Sequence, residues 1–169
     1  KVDEAIAAYR KAIELDPKHA NAHNGLGQAL HAQNKPDEAI DCYRKAIELD
    51  PKHANAHMSL GIALKAQGKV DEAIAAYRKA IELDPKFAKA HYNLGVALKA
   101  QQKLDEAIAS YRRAIELDPK YAIAHNGLGN ALFDKGAVDD AIAAYRAAIR
   151  WKVAGAEVRN YIALRLNSR

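Results

Sequence analysis

The chain has 169 residues, half of them hydrophobic and 28% charged, which is enough apolar material for a buried interior and too much for bulk disorder. Its single cysteine, Cys42, excludes an intramolecular disulfide framework and a cysteine-based zinc cluster, and no apolar run reaches the roughly 18 residues of a membrane span. The net charge of +5 is spread as 0, −1, +1, +2, +1 and +2 over residues 1–19, 20–53, 54–87, 88–121, 122–155 and 156–169, the pattern of solvated helix faces rather than of a nucleic-acid surface.

Residues 1–19 hold one helix, over 2–15, of the kind that comes second in each later unit. From Ala20 the spacing Ala22, Leu26, Ala29-Leu30, Gln33 predicts a first helix, and Asn34-Lys35-Pro36 breaks it. Asp37 is the expected N-cap of a second helix carrying Ala39-Ile40, Tyr43, Ala46-Ile47 and Leu49, and Asp50-Pro51 stops it. The same pair recurs over 54–87, 88–121 and 122–155, and residues 156–169 predict a first-type capping helix. In that cap Val158, Ile162, Ala163 and Leu166 face inward, and Arg165 takes a slot that is alanine elsewhere. KVDEAIAAYRKAIELDPK at Lys1–Lys18 returns unchanged at Lys69–Lys86, and AIELDPK ends at Lys18, Lys52, Lys86 and Lys120, always 34 apart. Leu26-Gly27, Ala39 and Tyr43 begin three further ladders with that step, which end at Leu128-Gly129, Ala141 and Tyr145. No alternating, β-rich segment occurs.

The ladders resemble the tetratricopeptide repeat, whose signature falls here on His23, Leu26-Gly27, Leu30, Ala39, Tyr43, Ala46 and Pro51. The likeness covers nearly the whole chain. There are two departures: the usual large aromatic at position four is histidine throughout (His23, His57, His91, His125), and the last unit degenerates after Tyr145 into Trp151-Lys152-Val153. The resemblance implies an all-α, right-handed superhelical solenoid of antiparallel helix pairs. The half repeat 1–19, repeats 20–53, 54–87, 88–121 and 122–155, and the capping helix 156–169 are its expected parts.

Catalytic chemistry is not indicated. No nucleophile motif, phosphate-cradling glycine loop or HExxH is present, and the carboxylates repeat identically in every unit, whereas a catalytic pair needs one special environment. His19/His23 and His53/His57 are four apart, as in metal chelates, but Phe87 and Tyr121 replace the first member in later units. That points to packing, and no metal or cofactor is expected. Cys42 occupies a slot filled by Ala76, Ser110 and Ala144, read as a small-residue position on the outer side of the second helix.

The resemblance further implies that first helices line a concave groove through positions two, five, nine and twelve. These are Asn21, Asn24, Gln28 and His31 in the first unit, and Asn55, Met58, Ile62 and Lys65 in the second. The third and fourth units contribute Lys89, Tyr92, Val96 and Lys99, then Ile123, Asn126, Asn130 and Phe133. They vary between repeats while the packing ladders stay fixed. Met58, Ile62, Tyr92 and Val96 are expected to form an apolar contact patch, with Tyr92 as an anchor whose loss leaves stability almost unchanged. Gly25 and Gly127 are expected to keep the groove open, so that alanine there should stabilise the helix. The family's carboxylate clamp for acidic C-terminal tails would fall on Asn24, Gln28, Ser59, Lys89 and Asn93, of which Lys89 alone matches. The position-six asparagine ladder of sugar-transferase arrays reads Gly25, Ser59, Asn93, Gly127. The function this implies is a non-enzymatic, intracellular scaffold binding a protein or peptide segment in its groove, with no nucleic acid and no membrane. The alternative is a module that self-associates end to end through the helices at 2–15 and 156–169.

Overall fold

In a computed structural model, residues 1–151 are described. Among them are nine α-helices and no strand: α1 Val2–Leu15, α2 Ala20–Ala32, α3 Pro36–Leu49, α4 Ala54–Ala66, α5 Val70–Leu83, α6 Ala88–Ala100, α7 Leu104–Leu117, α8 Ala122–Asp134 and α9 Val138–Arg150. The expected cap at 156–169, and with it the end-to-end joint, lies outside the described residues. The chain divides into two compact units at Pro85/Lys86, in the turn between α5 and α6, so the first unit holds α1–α5 and the second α6–α9.

Each first helix ends on one device. The residue after its C-cap is left-handed: Asn34 at φ 61°, Gly68 at 78°, Gln102 at 59° and Gly136 at 86°. The next residue reaches back, Lys35 N–H to Leu30 C=O at 3.0 Å and Lys103 N–H to Leu98 C=O at 3.0 Å, which satisfies carbonyls that the helix end would orphan. Asp37 is not the N-cap. Helix α3 starts two residues earlier, with Pro36 in its first turn and Lys35 as an N-cap without a side-chain bond, because the reversal at Asn34 already fixes the direction of the chain. The Asp37 carboxylate instead accepts a hydrogen bond from Gln67 Nε2 at 2.6 Å, tying the start of α3 to the end of α4. Asp3 with Gln33, and Asp105 with Lys135, make the same tie. Second helices end where Asp16, Asp50 and Asp118 turn extended, their Oδ1 atoms accepting from the backbone N–H of Lys18, Lys52 and Lys120 at 3.0–3.1 Å.

The interior is built from the ladders. Ala39, Ala46, Ala73, Ala80, Ala107 and Ala114 are wholly buried, with Tyr43, Tyr77 and Tyr111 between them. Each tyrosine ring lies on the glycine of its own repeat. A methyl group on Gly27 would stand 2.6 Å from the Tyr43 ring and 3.1 Å from the Ala39 carbonyl, so only glycine lets the helices of a pair come this close. Gly25 and Gly127 obey the same rule, against the expectation that they clear the groove. A methyl on Gly25 would meet the Tyr9 ring at 2.4 Å, and one on Gly127 the Tyr111 ring at 2.7 Å. These two glycines seat the tyrosine of the preceding repeat.

Position four also does more than fill space. The Nε2 atoms of His23, His57 and His125 lie 3.1, 3.2 and 2.9 Å from the carbonyls of Pro17, Pro51 and Pro119. A carbonyl can only accept, so each ring carries its proton on Nε2 and ties the first helix to the preceding Asp-Pro turn.

Candidate partner-binding faces

Within each unit the first helices form a layer of their own. In the first, α2 touches α4, and in the second α6 touches α8, whereas α3 and α5, or α7 and α9, make no comparable contact. The first helices are thus the more closely packed side of each unit, its inner side.

In the first unit this side is amide-rich. Asn21, Gln28 and Asn55 are exposed, while His31, Met58, Ile62 and Lys65 are half-buried. Gln28 reaches the Ser59 hydroxyl at 3.5 Å. Asn24 departs from expectation: it is 7% exposed and its Oδ1 has no partner among the described residues, so it belongs to the wall and not to the contact surface. The depth at which Asn24 sits is set by neighbouring helices, which the spacing within one helix does not reveal.

His19 and His53 act as N-caps rather than as packing groups alone. Their Nδ1 atoms accept from Ala22 N–H at 3.2 Å and Ala56 N–H at 3.4 Å, a bond that Phe87 and Tyr121 cannot replace. Among the described residues no three His, Cys, Asp or Glu side chains are arranged so that they could hold a metal ion.

In the second unit the inner side is aromatic, aliphatic and basic. Lys89 is exposed in the first turn of α6, where the helix dipole disfavours a cation, and Ile123 on α8 is 41% exposed. Val96, Asn126 and Phe133 are half-buried. Tyr92 is no isolated anchor. Its ring lies 5.9 Å from that of Tyr111 and 5.5 Å, edge-on, from that of Tyr121, and its burial pushes the phenol pKa up. Such pairs contribute about 0.5–1.5 kcal/mol beyond area, so removing Tyr92 costs stability as well. Tyr121, in the loop before α8, was the partner that helical spacing could not reveal.

Two further face residues have internal partners. Lys99 Nζ is 2.7 Å from Asp134 Oδ2, and Asn130 Oδ1 accepts from the Tyr145 hydroxyl at 2.8 Å. In the other repeats position nine is Gln28, Ile62 or Val96. Ile62 offers no acceptor, and the Tyr77 hydroxyl of that repeat is buried with no partner among the described residues.

The slot of Cys42 lies deeper than an outer surface: Ala76, Ser110 and Ala144 are 7–9% exposed. Burial first, then the Asp41 and Glu38 carboxylates, push the Cys42 thiol pKa up, the opposite of the shift that activates a thiol nucleophile. It lines a cleft of about 470 Å³ with Ile13, His23 and Leu26, and the next repeat forms the equivalent cleft at Ile47, His57 and Leu60.

Paired helices, tyrosine–glycine seats and a distinct inner layer define a class, and the comparisons agree: the chain belongs to the tetratricopeptide-repeat family, whose profile matches residues 1–54, 32–86, 58–122 and 92–155. No curated protein sequence matches it. Among solved structures it is similar to MamA, with 31% identity over 89% of this chain and 88% of that one at a TM-score of 0.79. It is also similar to YrrB, described as a TPR protein with an unusual peptide-binding site, at 26% identity over 95% and 82% with a TM-score of 0.76. Pseudomonas aeruginosa PilF shares the fold at 23% identity over 93% and 72%, with a TM-score of 0.85. The chain is therefore a protein-interaction scaffold of the tetratricopeptide-repeat type, a family typically without enzymatic activity. No described helix is long and apolar enough to cross a membrane.

Proposed function

We propose that the chain holds a peptide segment of a partner protein against the inner faces of its first helices. The observation that carries this reading is a contrast within one sequence. Ala39, Tyr43, Gly27 and their equivalents are held fixed by the packing described above, while inner positions range over Asn, Met, Lys, Ile, Tyr and Gln. Positions that pack nothing in common are free to specialise toward a ligand. The peptide-binding site of the similar protein YrrB lends support by analogy.

The test is selection of a random-peptide display library on the full chain. Selected peptides should lose binding on Gln28→Ala or Ile123→Ser and keep it on the outer-face variant Ala109→Gln. Selected peptides indifferent to both inner variants and sensitive to Ala109→Gln would overturn the reading.

A further inference from the structure

Resting on that groove reading, we propose that the inner face of the second unit, on α6 and α8, selects an internal acidic segment carrying bulky apolar side chains. Three observations converge on this chemistry. The first is charge: residues 86–151 hold ten Lys or Arg against seven Asp or Glu, a net +3, whereas residues 1–85 hold twelve against thirteen, a net −1. The second is the state of the charges on the face. Lys99 is neutralised by Asp134, but Lys89 is exposed and no carboxylate among the described residues pairs with it. The face thus presents an uncompensated cation and no uncompensated anion. The third is the apolar surface beside that cation. Tyr92 and Val96 follow Lys89 by three and seven positions on one side of α6, and Ile123 on the adjoining α8 is among the most exposed large hydrophobic residues described. The Tyr92 ring is held by Tyr111 and Tyr121, so it offers a fixed platform and little side-chain entropy is lost when a ligand covers it.

A carboxylate over Lys89 with a leucine or phenylalanine on Tyr92 and Ile123 satisfies both features. A basic segment would oppose Lys89, and a purely polar acidic one would leave the apolar surface wet. The first unit differs in charge and exposure: its residues sum to −1, and the lysine on its inner face, Lys65 beside Met58 and Ile62, is half-buried where Lys89 is exposed. Recognition here does not use a free C-terminal carboxylate, since four of the five clamp positions hold other residues.

The experiment is fluorescence anisotropy on the full chain with three labelled peptides blocked at both ends: alternating Asp-Leu, Lys-Leu and Asp-Ser. The Asp-Leu peptide should bind at least tenfold more tightly than either of the others, and added salt should weaken it. Lys89→Glu and Ile123→Ser, both at exposed positions, should each reduce that binding severalfold without changing the helical circular dichroism. Equal or tighter binding of Lys-Leu, lost on Ile123→Ser, would overturn the acidic preference and leave the groove reading intact. Binding of Asp-Leu untouched by either substitution would overturn the site. Failure of all three peptides to bind would overturn the inference, and the groove reading would then stand or fall on whether library peptides bind elsewhere.

Discussion

Replacing Gly127 by alanine sets two effects of known size against each other. In the interior of an exposed helix the change is worth about 1 kcal/mol in favour of alanine. Here the new methyl would lie 2.7 Å from Cε1 of Tyr111 and 2.9 Å from its Cζ, well inside ordinary contact. The ring cannot withdraw, because Gly95 seats it on the other helix, where a methyl would stand 2.8 Å away, and Tyr111 is 1% exposed. Overpacking of a closed core typically costs about 1–3 kcal/mol, so the net expectation is a loss of about 0–2 kcal/mol, centred near 1. Gly25→Ala has the tighter contact, 2.4 Å, but its ring belongs to Tyr9, which is 36% exposed and can swing outward. Its net effect should lie near zero. Urea denaturation of both variants checks the contrast, with Gly127→Ala/Tyr111→Leu as a coupled pair that recovers part of the loss. A Gly127→Ala variant more stable than the parent would refute the seating of Tyr111 and restore helix propensity as the dominant effect.

Gln102 holds a left-handed conformation that two other repeats give to glycine, so Gln102→Gly should raise stability by up to about 1 kcal/mol, read from the denaturation midpoint. A lowered midpoint would show that the side chain contributes something the backbone geometry does not reveal. His57→Leu should cost about 1 kcal/mol through the lost hydrogen bond to the Pro51 carbonyl, and a neutral result in the same urea series would contradict that tie. Stability should also fall in alkali. Burial raises the Tyr43 and Tyr121 pKa from the ordinary 10 to about 12, so their contribution is complete below pH 10 and lost as pH climbs through 12. Phenolate absorbance followed with circular dichroism should show ionisation and unfolding together, and ionisation at pH 10 with the helices intact would contradict it.

The repeat unit, its two helices and the alanine, glycine and tyrosine ladders were legible in the sequence because each is a local period repeated four times. What escaped was set by neighbours at a distance along the chain. Asn24 shares its helical direction with exposed face residues, yet surrounding helices bury it. Tyr92 meets Tyr121 from a loop, and Lys99 meets Asp134 from the next repeat, so neither partner follows from the spacing within one helix. Gly25 and Gly127 face the inner side by periodicity, but the ring that needs them comes from the repeat before. Asp37 looked like a cap by residue type, while the left-handed residue three positions earlier had already set the helix start.

Partners are proposed to meet the first helices and not the second. Backbone amide NMR of the isotopically labelled full chain, titrated with a library-selected peptide, tests it most directly. Shifts should concentrate at inner positions such as Gln28, Asn55, Lys89, Val96 and Ile123, with exposed outer residues such as Ala75 and Ala109 unmoved. Shifts concentrated on the outer faces of α5 and α7 would contradict it.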